Sequence, residues 1–280
     1  AATLLSAIGG KTSGVVTATT VITITGSQAQ LTAALVTDAT KVIAGAAVIG
    51  TITDAGGQTL TAAALSAIGA KTSGVVTVSE AVVITGTQAE VTAALVTTDS
   101  LVVAATAVGT ISDDAGTEIA ATALSAIGAK TSGIVTVSEA IALSGTNTEL
   151  TAALVTTDDL VVAGTAVVTI TDNASTEIEA TVLSAIGGKT SGAVTAENAL
   201  VINGTAAEAT AALVTAGTLI VAATGTTVTL DDTAGSSVVA TLLTGITGKV
   251  TGAVTAENAI IVTGTIAEVT AALVTDATQI

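Results

Sequence analysis

The segment LSAIGGKTSG, residues 5–14, carries Gly10-Lys11-Thr12, the closing half of a phosphate-cradling P-loop, and is the first stretch whose residue types could do chemistry. Acidic residues offer two further chemistries. Asp54, Asp113 with Asp114, Asp172, and Asp231 with Asp232 recur after apolar runs; Asp99, Asp158 and Asp159 form a second column, and Glu80, Glu139, Glu197 and Glu257 a third. Such columns could offer oxygens to calcium, which takes about six to eight of them at roughly 2.3–2.6 Å, with Asp113, Asp114, Asp172, Asp231 and Asp232 as the candidates. They could also pair as glycosidase carboxylates. Threonine forms columns too: Thr17, Thr77, Thr136, Thr195 and Thr255 share one position, and Thr25, Thr85 and Thr263 another. A regular threonine face could match ordered water or a polysaccharide.

Each of these has a plainer alternative. A P-loop needs strand, glycine loop and then the amino end of a helix, because that end holds the phosphates. Here the glycines follow the apolar run, and Leu5 and Leu183 stand where a P-loop needs glycine. Asp after a strand is also the residue of Asx turns, and stacked loops two strand spacings apart, roughly 10 Å, are too distant to share one ion. A catalytic carboxylate pair is needed once, whereas these columns repeat. Thr is a good strand former on a solvated face.

Composition narrows the classes. Six lysines against twenty-two acids give a formal charge of −16, which disfavours nucleic acid and anionic membranes because both need a basic face. There is no aromatic residue, Met, Cys, His, Pro or Arg, so the core must be built from Val, Ile, Leu and Ala. Aromatic platforms for sugar are therefore missing, and no disulfide reports the redox compartment. The uncharged run from Ala209 to Leu230 is long enough to span a bilayer. It holds seven Thr, and its Gly217 stands where other copies carry Asp99 and Asp158, so membrane insertion is not expected. With neither initiator Met nor signal peptide, the chain reads as a mature piece of something longer.

Repetition is the organising feature. The decapeptide returns at residues 65, 124, 183 and, degraded, 243, at intervals of 59 or 60, so residues 1–280 read as one continuous array whose last repeat is truncated. A half-period is marked by Leu at 5, 35, 65, 95, 124, 154, 183, 213, 243 and 273, which predicts units of about 30 residues in two alternating flavours. In one flavour, capping boxes at Ser27/Gln30, Thr87/Glu90, Thr146/Glu149, Thr205/Glu208 and Thr265/Glu268 open short helices, followed by strands such as SLVVAA and AVGTIS. In the other, a helix over residues 118–128 precedes strands over GIVTV and AIALSG. Gly9, Gly69, Gly128 and Gly187 are expected to close these helices in the left-handed conformation, with Lys11, Lys71, Lys130, Lys189 and Lys249 near the negative helix end.

One unit of helix, strand and strand buries little alone. Stacked, such units predict a β-solenoid with one short helix per coil (an α/β solenoid), parallel sheets, and the helix serving as the crossover that parallel pairing requires. About nine and a half coils at ~4.8 Å would make a rod of roughly 45 Å. Open ends predict self-association or further repeats. Tandem β-sandwiches, one to each long repeat, are the competing architecture.

The run LSAIGAKTSGVVTVSEAVVITGTQAEVTAAL resembles the Ala/Thr/Val-rich repeats of very large secreted or surface proteins of bacteria, the cyanobacterial type above all. The resemblance covers essentially the whole chain. It implies an extracellular or cell-surface location and a structural or adhesive role, and it supplies no catalytic residue and no cofactor. Calcium loops are frequent in such families, but their Gly-Gly-x-Gly-x-Asp nonapeptide is absent here. The expected function is thus a non-enzymatic extracellular structural repeat forming a rod, filament or matrix layer. A Thr-faced binder of ice or polysaccharide is the alternative, and a hydrolase using paired acids a distant third.

Overall fold

The computed structural model of the protein describes residues 1–18, 22–37, 42–44, 48–98, 101–156, 161–218 and 220–274. Short helices recur along it: α1 (Ala2–Gly9), α2 (Gln28–Leu31, continued by a π-helical turn over Thr32–Val36), α3 (Ala62–Gly69), α4 (Gln88–Leu95) and α5 (Ala121–Gly128). They continue as α6 (Asn147–Leu154), α7 (Ala180–Gly187), α8 (Ala206–Leu213), α9 (Ala240–Thr247) and α10 (Ile266–Leu273). None among the described residues is long and apolar enough to cross a membrane. The strands are shorter still: β1 (Val16–Ala18), β2 (Thr23–Gly26), β3 (Val42–Ala44), β4 (Ile49–Ile52), β5 (Thr59–Thr61), β6 (Val76–Val78), β7 (Val83–Gly86) and β8 (Val102–Val103). Then come β9 (Val108–Ile111), β10 (Glu118–Ala120), β11 (Val135–Val137), β12 (Ala142–Gly145), β13 (Val161–Val162), β14 (Val167–Ile170) and β15 (Glu177–Glu179). The last are β16 (Val194–Ala196), β17 (Val201–Gly204), β18 (Ile220–Val221), β19 (Thr227–Leu230), β20 (Ser237–Val239), β21 (Val254–Ala256) and β22 (Ile261–Thr263).

The chain divides into two compact units whose segments interleave in sequence: Ala1–Asp114, Ala123–Glu139 and Thr156–Val162 form the first, and Ala115–Thr122, Ala140–Val155 and Ala163–Ile280 the second. The first unit holds the sheets β1-β3, β2-β4-β6-β8 and β5-β7-β9-β11-β13. The second holds β10-β12-β14-β16-β18, β15-β17-β19-β21 and β20-β22. Every described pairing is parallel, which excludes the antiparallel sandwich. Each crossover between paired strands contains a helix or a strand of the neighbouring sheet, as parallel pairing demands.

Apolar ladders form the inner faces. In the first unit Leu60, Ile84, Gly109, Val135 and Val161 lie in register; in the second, Ile119, Leu143, Val168, Val194 and Ile220 do. Apart from Gly109, which has none, their side chains are buried, as are Leu65, Ile68 and Val91 on helices of the first unit. Strand residues on either side alternate outward, so one face packs and the other meets water.

Three expectations are corrected. First, the step between register partners is shorter than the leucine half-period: Leu60 pairs with Ile84, Ile84 with Gly109 and Gly109 with Val135. The evenly spaced Leu anchors hide an uneven step. Leu65 is the fourth residue of α3 and Leu95 the eighth of α4, so helix starts alternate between a shorter and a longer interval. Secondly, the longer step holds an extra strand. Residues 118–120, assigned to the helix, form β10, because the alternation Glu118 exposed, Ile119 buried, Ala120 exposed suits a pleat. The extra strands β5, β10, β15 and β20 each open a new sheet, so the sheets are several and short. Thirdly, the helix-ending glycines are not left-handed: α1, α3 and α7 run on to cap residues Gly10, Ala70 and Gly188 with φ of −69°, −65° and −68°.

Candidate functional site

The Gly-Lys-Thr-Ser-Gly segment follows the carboxyl end of its helix, where no phosphate-binding amides are free. Lys71 N donates to Ile68 O, and Lys130 N and Lys189 N make the same bond to Ile127 O and Ile186 O. The next residue turns inward. Thr131 and Thr190 are buried, and their hydroxyls donate to the carbonyls of Ala107 and Ala166 on the neighbouring crossover, the latter at 2.5 Å. Ser132 and Ser191 each bond one carbonyl, Ala105 O and Gly164 O, through both amide (2.8 Å) and hydroxyl (3.0 Å). The closing glycine lets the chains touch: a Cβ at Gly133, Gly192 or Gly252 would collide with the backbone of Ala107, Ala166 or Thr226. A nucleotide is not needed to explain any of these residue types. Gly187 permits a second close approach, to the crossover that follows, since a Cβ there would strike the backbone of Thr218.

The acidic column meets the other helix end. In α4, Thr87 Oγ1 accepts from Glu90 N (3.3 Å) while Thr87 N donates to Glu90 Oε2 (2.9 Å), the expected capping box. The first helical amide, Gln88 N, is left over, and it donates to Asp113 Oδ2 at 2.5 Å. The pattern repeats: Gln28 N to Asp54 (2.6 Å), Asn147 N to Asp172 (2.6 Å) and Ala206 N to Asp232 (2.8 Å). Each of these carboxylates therefore caps a helix one crossover earlier in the chain, at the positive end of the helix dipole. Asp172 is buried and its cap is reinforced by Asn147 Nδ2 on Oδ1 (2.7 Å). Asp114 and Asp231 are exposed and lie outside these caps. Among the described residues no three acidic side chains are grouped to hold a metal. Glu80, Glu139, Glu197 and Glu257 are all exposed on turns, while Asp99, Asp158 and Asp159 lie outside the described residues.

Two glutamates have carboxyls held below the usual range. For Glu208 and Glu268 the cause is the backbone N–H of Thr205 and Thr265, followed by the hydroxyl of the same threonine at 2.9 Å. Hydrogen bonds to the charged form favour ionisation. Both carboxylates therefore ionise more readily than an ordinary glutamate.

Threonine columns that look separate in the sequence converge. Register places Thr61, Thr85, Thr110, Thr136 and Val162 on one outward ladder, and Thr25, Thr51, Thr77 and Val103 on another. Beside them stand the exposed aliphatics Ile49, Val75, Val108 and Ile134. In the second unit the ladders are mixed: Ala120, Ser144, Thr169, Thr195 and Val221 in one, Glu179, Asn203, Thr229 and Thr255 in the other. Thr17 pairs with Ile43 and Thr263 with Val239. Comparison with protein-family models, with curated proteins and with solved structures finds no match for the chain.

Proposed function

We propose that the chain is a solenoid-like structural repeat that performs no catalysis and serves as a mechanical segment of an extracellular or surface-attached bacterial assembly. The observation that supports this reading is where the polar motifs place their hydrogen bonds. Thr131 and Thr190, Ser132 and Ser191, and Asp54, Asp113, Asp172 and Asp232 all join one crossover to the next. Residues that would bind a ligand are instead the mortar between repeats. Such a repeat gains an interior only by lying against its neighbours, the energetics of a quasi-one-dimensional array. Location outside the cell and the filament or matrix role rest on the resemblance to bacterial surface repeats. Electron microscopy of the native material tests it: fibres or layers carrying this repeat support the role, and a dispersed enzyme-like particle refutes it.

The second reading, a face for ice or polysaccharide, is favoured by the merging of two threonine columns into the Thr61–Thr136 ladder. The interruption of the second unit's ladders by Glu179 and Asn203 weighs against one lattice-matched ligand. Thermal-hysteresis and glycan-array assays that both stay silent would remove it.

A further inference from the structure

Five asparagines occur in the chain, and one of them, Asn203, is followed by glycine; Asn147, Asn173, Asn198 and Asn258 precede Thr or Ala. An asparagine side chain is open to attack by the backbone nitrogen of the next residue, and a Cβ on that residue hinders the approach. Gly204 has none. The pair sits in β17, at the place that Thr25-Gly26, Thr85-Gly86, Ser144-Gly145 and Thr263-Gly264 hold in or at the end of the corresponding strands. Its glycine is fixed by packing: φ at Gly204 is 149°, and a Cβ there would meet Ala180 Cβ at 3.2 Å and Glu208 Oε2 at 3.3 Å. An alanine and the capping-box glutamate crowd Gly86 and Gly145 in the same way. The residue before the glycine is a hydroxyl in the other copies and an amide only here.

The ladder blocks the reaction in the folded sheet. Asn203 pairs in register with Glu179 of β15 on one side and with Thr229 of β19 on the other, all within the second unit. Gly204 O accepts from Asp231 N at 3.2 Å, and the parallel pattern turns Gly204 N to Thr229 O. The nitrogen that would attack is thus committed to a neighbouring strand. Side chains stand roughly perpendicular to a sheet, so the Asn203 amide is also held away from a nitrogen that lies in the sheet plane. Ile202 and Gly204 are buried, and Asn203 between them faces outward beside the exposed Glu179.

We infer that Asn203-Gly204 is a deamidation site that strand pairing keeps silent, and that opening of the β15-β17-β19 ladder releases it irreversibly. The opened Gly204 nitrogen gives its proton to solvent base and bonds to Asn203 Cγ; the Cγ–Nδ2 bond breaks and ammonia leaves, forming a five-membered cyclic imide. Water then opens the ring. Addition at Cγ gives aspartate, and addition at the former backbone carbonyl gives isoaspartate, with one extra methylene in the main chain. Either product resists re-pairing. Isoaspartate lengthens the chain just before Gly204, so the close approach to Ala180 is lost. Aspartate sets a carboxylate directly across from Glu179, one strand spacing of about 4.8 Å away, and like charges so placed are destabilising. The site thus marks each molecule whose second unit has opened at β17.

Peptide mass spectrometry of the 280-residue chain, incubated at mildly alkaline pH in buffer and in unfolding urea, tests the inference. In urea the peptide holding Asn203 should gain one mass unit, with isoaspartate among the products. In buffer, where only transiently opened molecules react, the gain should be at least about tenfold slower. Asn147, Asn173, Asn198 and Asn258 should change far less in urea than Asn203 does. Asn203→Thr, the residue of other copies, should remove the change. Asn203→Asp supplies the aspartate product directly; it should unfold at lower urea than Asn203→Thr, and adding Glu179→Gln should recover part of that loss. Equal rates in buffer and in urea overturn the protection by pairing, and an Asn203 that stays intact in urea overturns the site itself. An Asn203→Asp chain as stable as Asn203→Thr, or a loss that Glu179→Gln leaves untouched, overturns the carboxylate clash that opposes re-pairing.

Discussion

Ser175 is where single-residue chemistry is most exposed. The turns after β4, β9 and β19 place Gly57, Gly116 and Gly235 at φ of 79°, 80° and 80°, and Ser175 holds the corresponding place after β14 at 65°. The amide there bonds the next crossover, as Gly57 N does to Ala81 O and Ser175 N to Ala199 O, so the conformation is imposed by the joint. An L-residue held left-handed loses roughly 1–2 kcal/mol, so Ser175→Gly should stabilise the fold by about 1 kcal/mol in urea unfolding. Glu208 gives a pH-dependent counterpart. Its folded pKa is depressed by Thr205, so its contribution is complete above the ordinary glutamate value of about 4.3 and is lost as the pH falls through the lower folded value. The stability gap between wild type and Glu208→Gln should therefore be present at neutral pH and shrink in acid; a gap that grows in acid would contradict the sign. The capping boxes are legible in sequence because their partners are close along the chain, as Thr87 and Glu90 are. The Asp caps are not, because their partner is on another crossover; the only trace is the near-constant separation of Gln88 from Asp113 and of Ala206 from Asp232.

Among the elements, the helices show most clearly what a periodic sequence conceals. Evenly spaced leucines suggest equal units, yet α3, α4 and α5 begin at Ala62, Gln88 and Ala121, a short step followed by a long one. A leucine can serve the core from either the first or the second turn, so its position does not fix where its helix starts. The left-handed glycine caps fail for a related reason: Gly187 is required by what lies beside it, not by its own torsion angles. Gly187→Ala should cost about 1–3 kcal/mol through the clash with Thr218, the usual range for overpacking. Gly188→Ala should be close to neutral, since Ala70 fills the equivalent place after α3. Equal costs for the two substitutions, read by urea unfolding, would refute a close-approach role for Gly187. Parallel pairing and helical crossovers are legible because alternating helix-like and strand-like segments leave little else possible. The extra strand Glu118–Ala120 is not, because so short a segment beside a helix looks like its first turn.

At the scale of the molecule, repetition makes stability a sum of similar joints. Removing residues 124–182 fuses Ala123 to Leu183, the counterpart of Leu124, and takes out one whole repeat. The shortened chain should fold and lose about one fifth of its urea m-value, since m follows the surface exposed on unfolding. Failure to fold would mean that the repeats are not interchangeable. The central claim, that the recurring carboxylates hold the fold rather than a ligand, is tested most directly by urea unfolding of wild type and of D113A/D172A/D232A, each in EDTA and in calcium. Charge-assisted hydrogen bonds of this kind contribute about 1.5–3 kcal/mol apiece. If they are helix caps, the variant is less stable by about 5 kcal/mol or more in EDTA, and calcium leaves that difference unchanged. Equal stability in EDTA, with a difference appearing only when calcium is present, would contradict it.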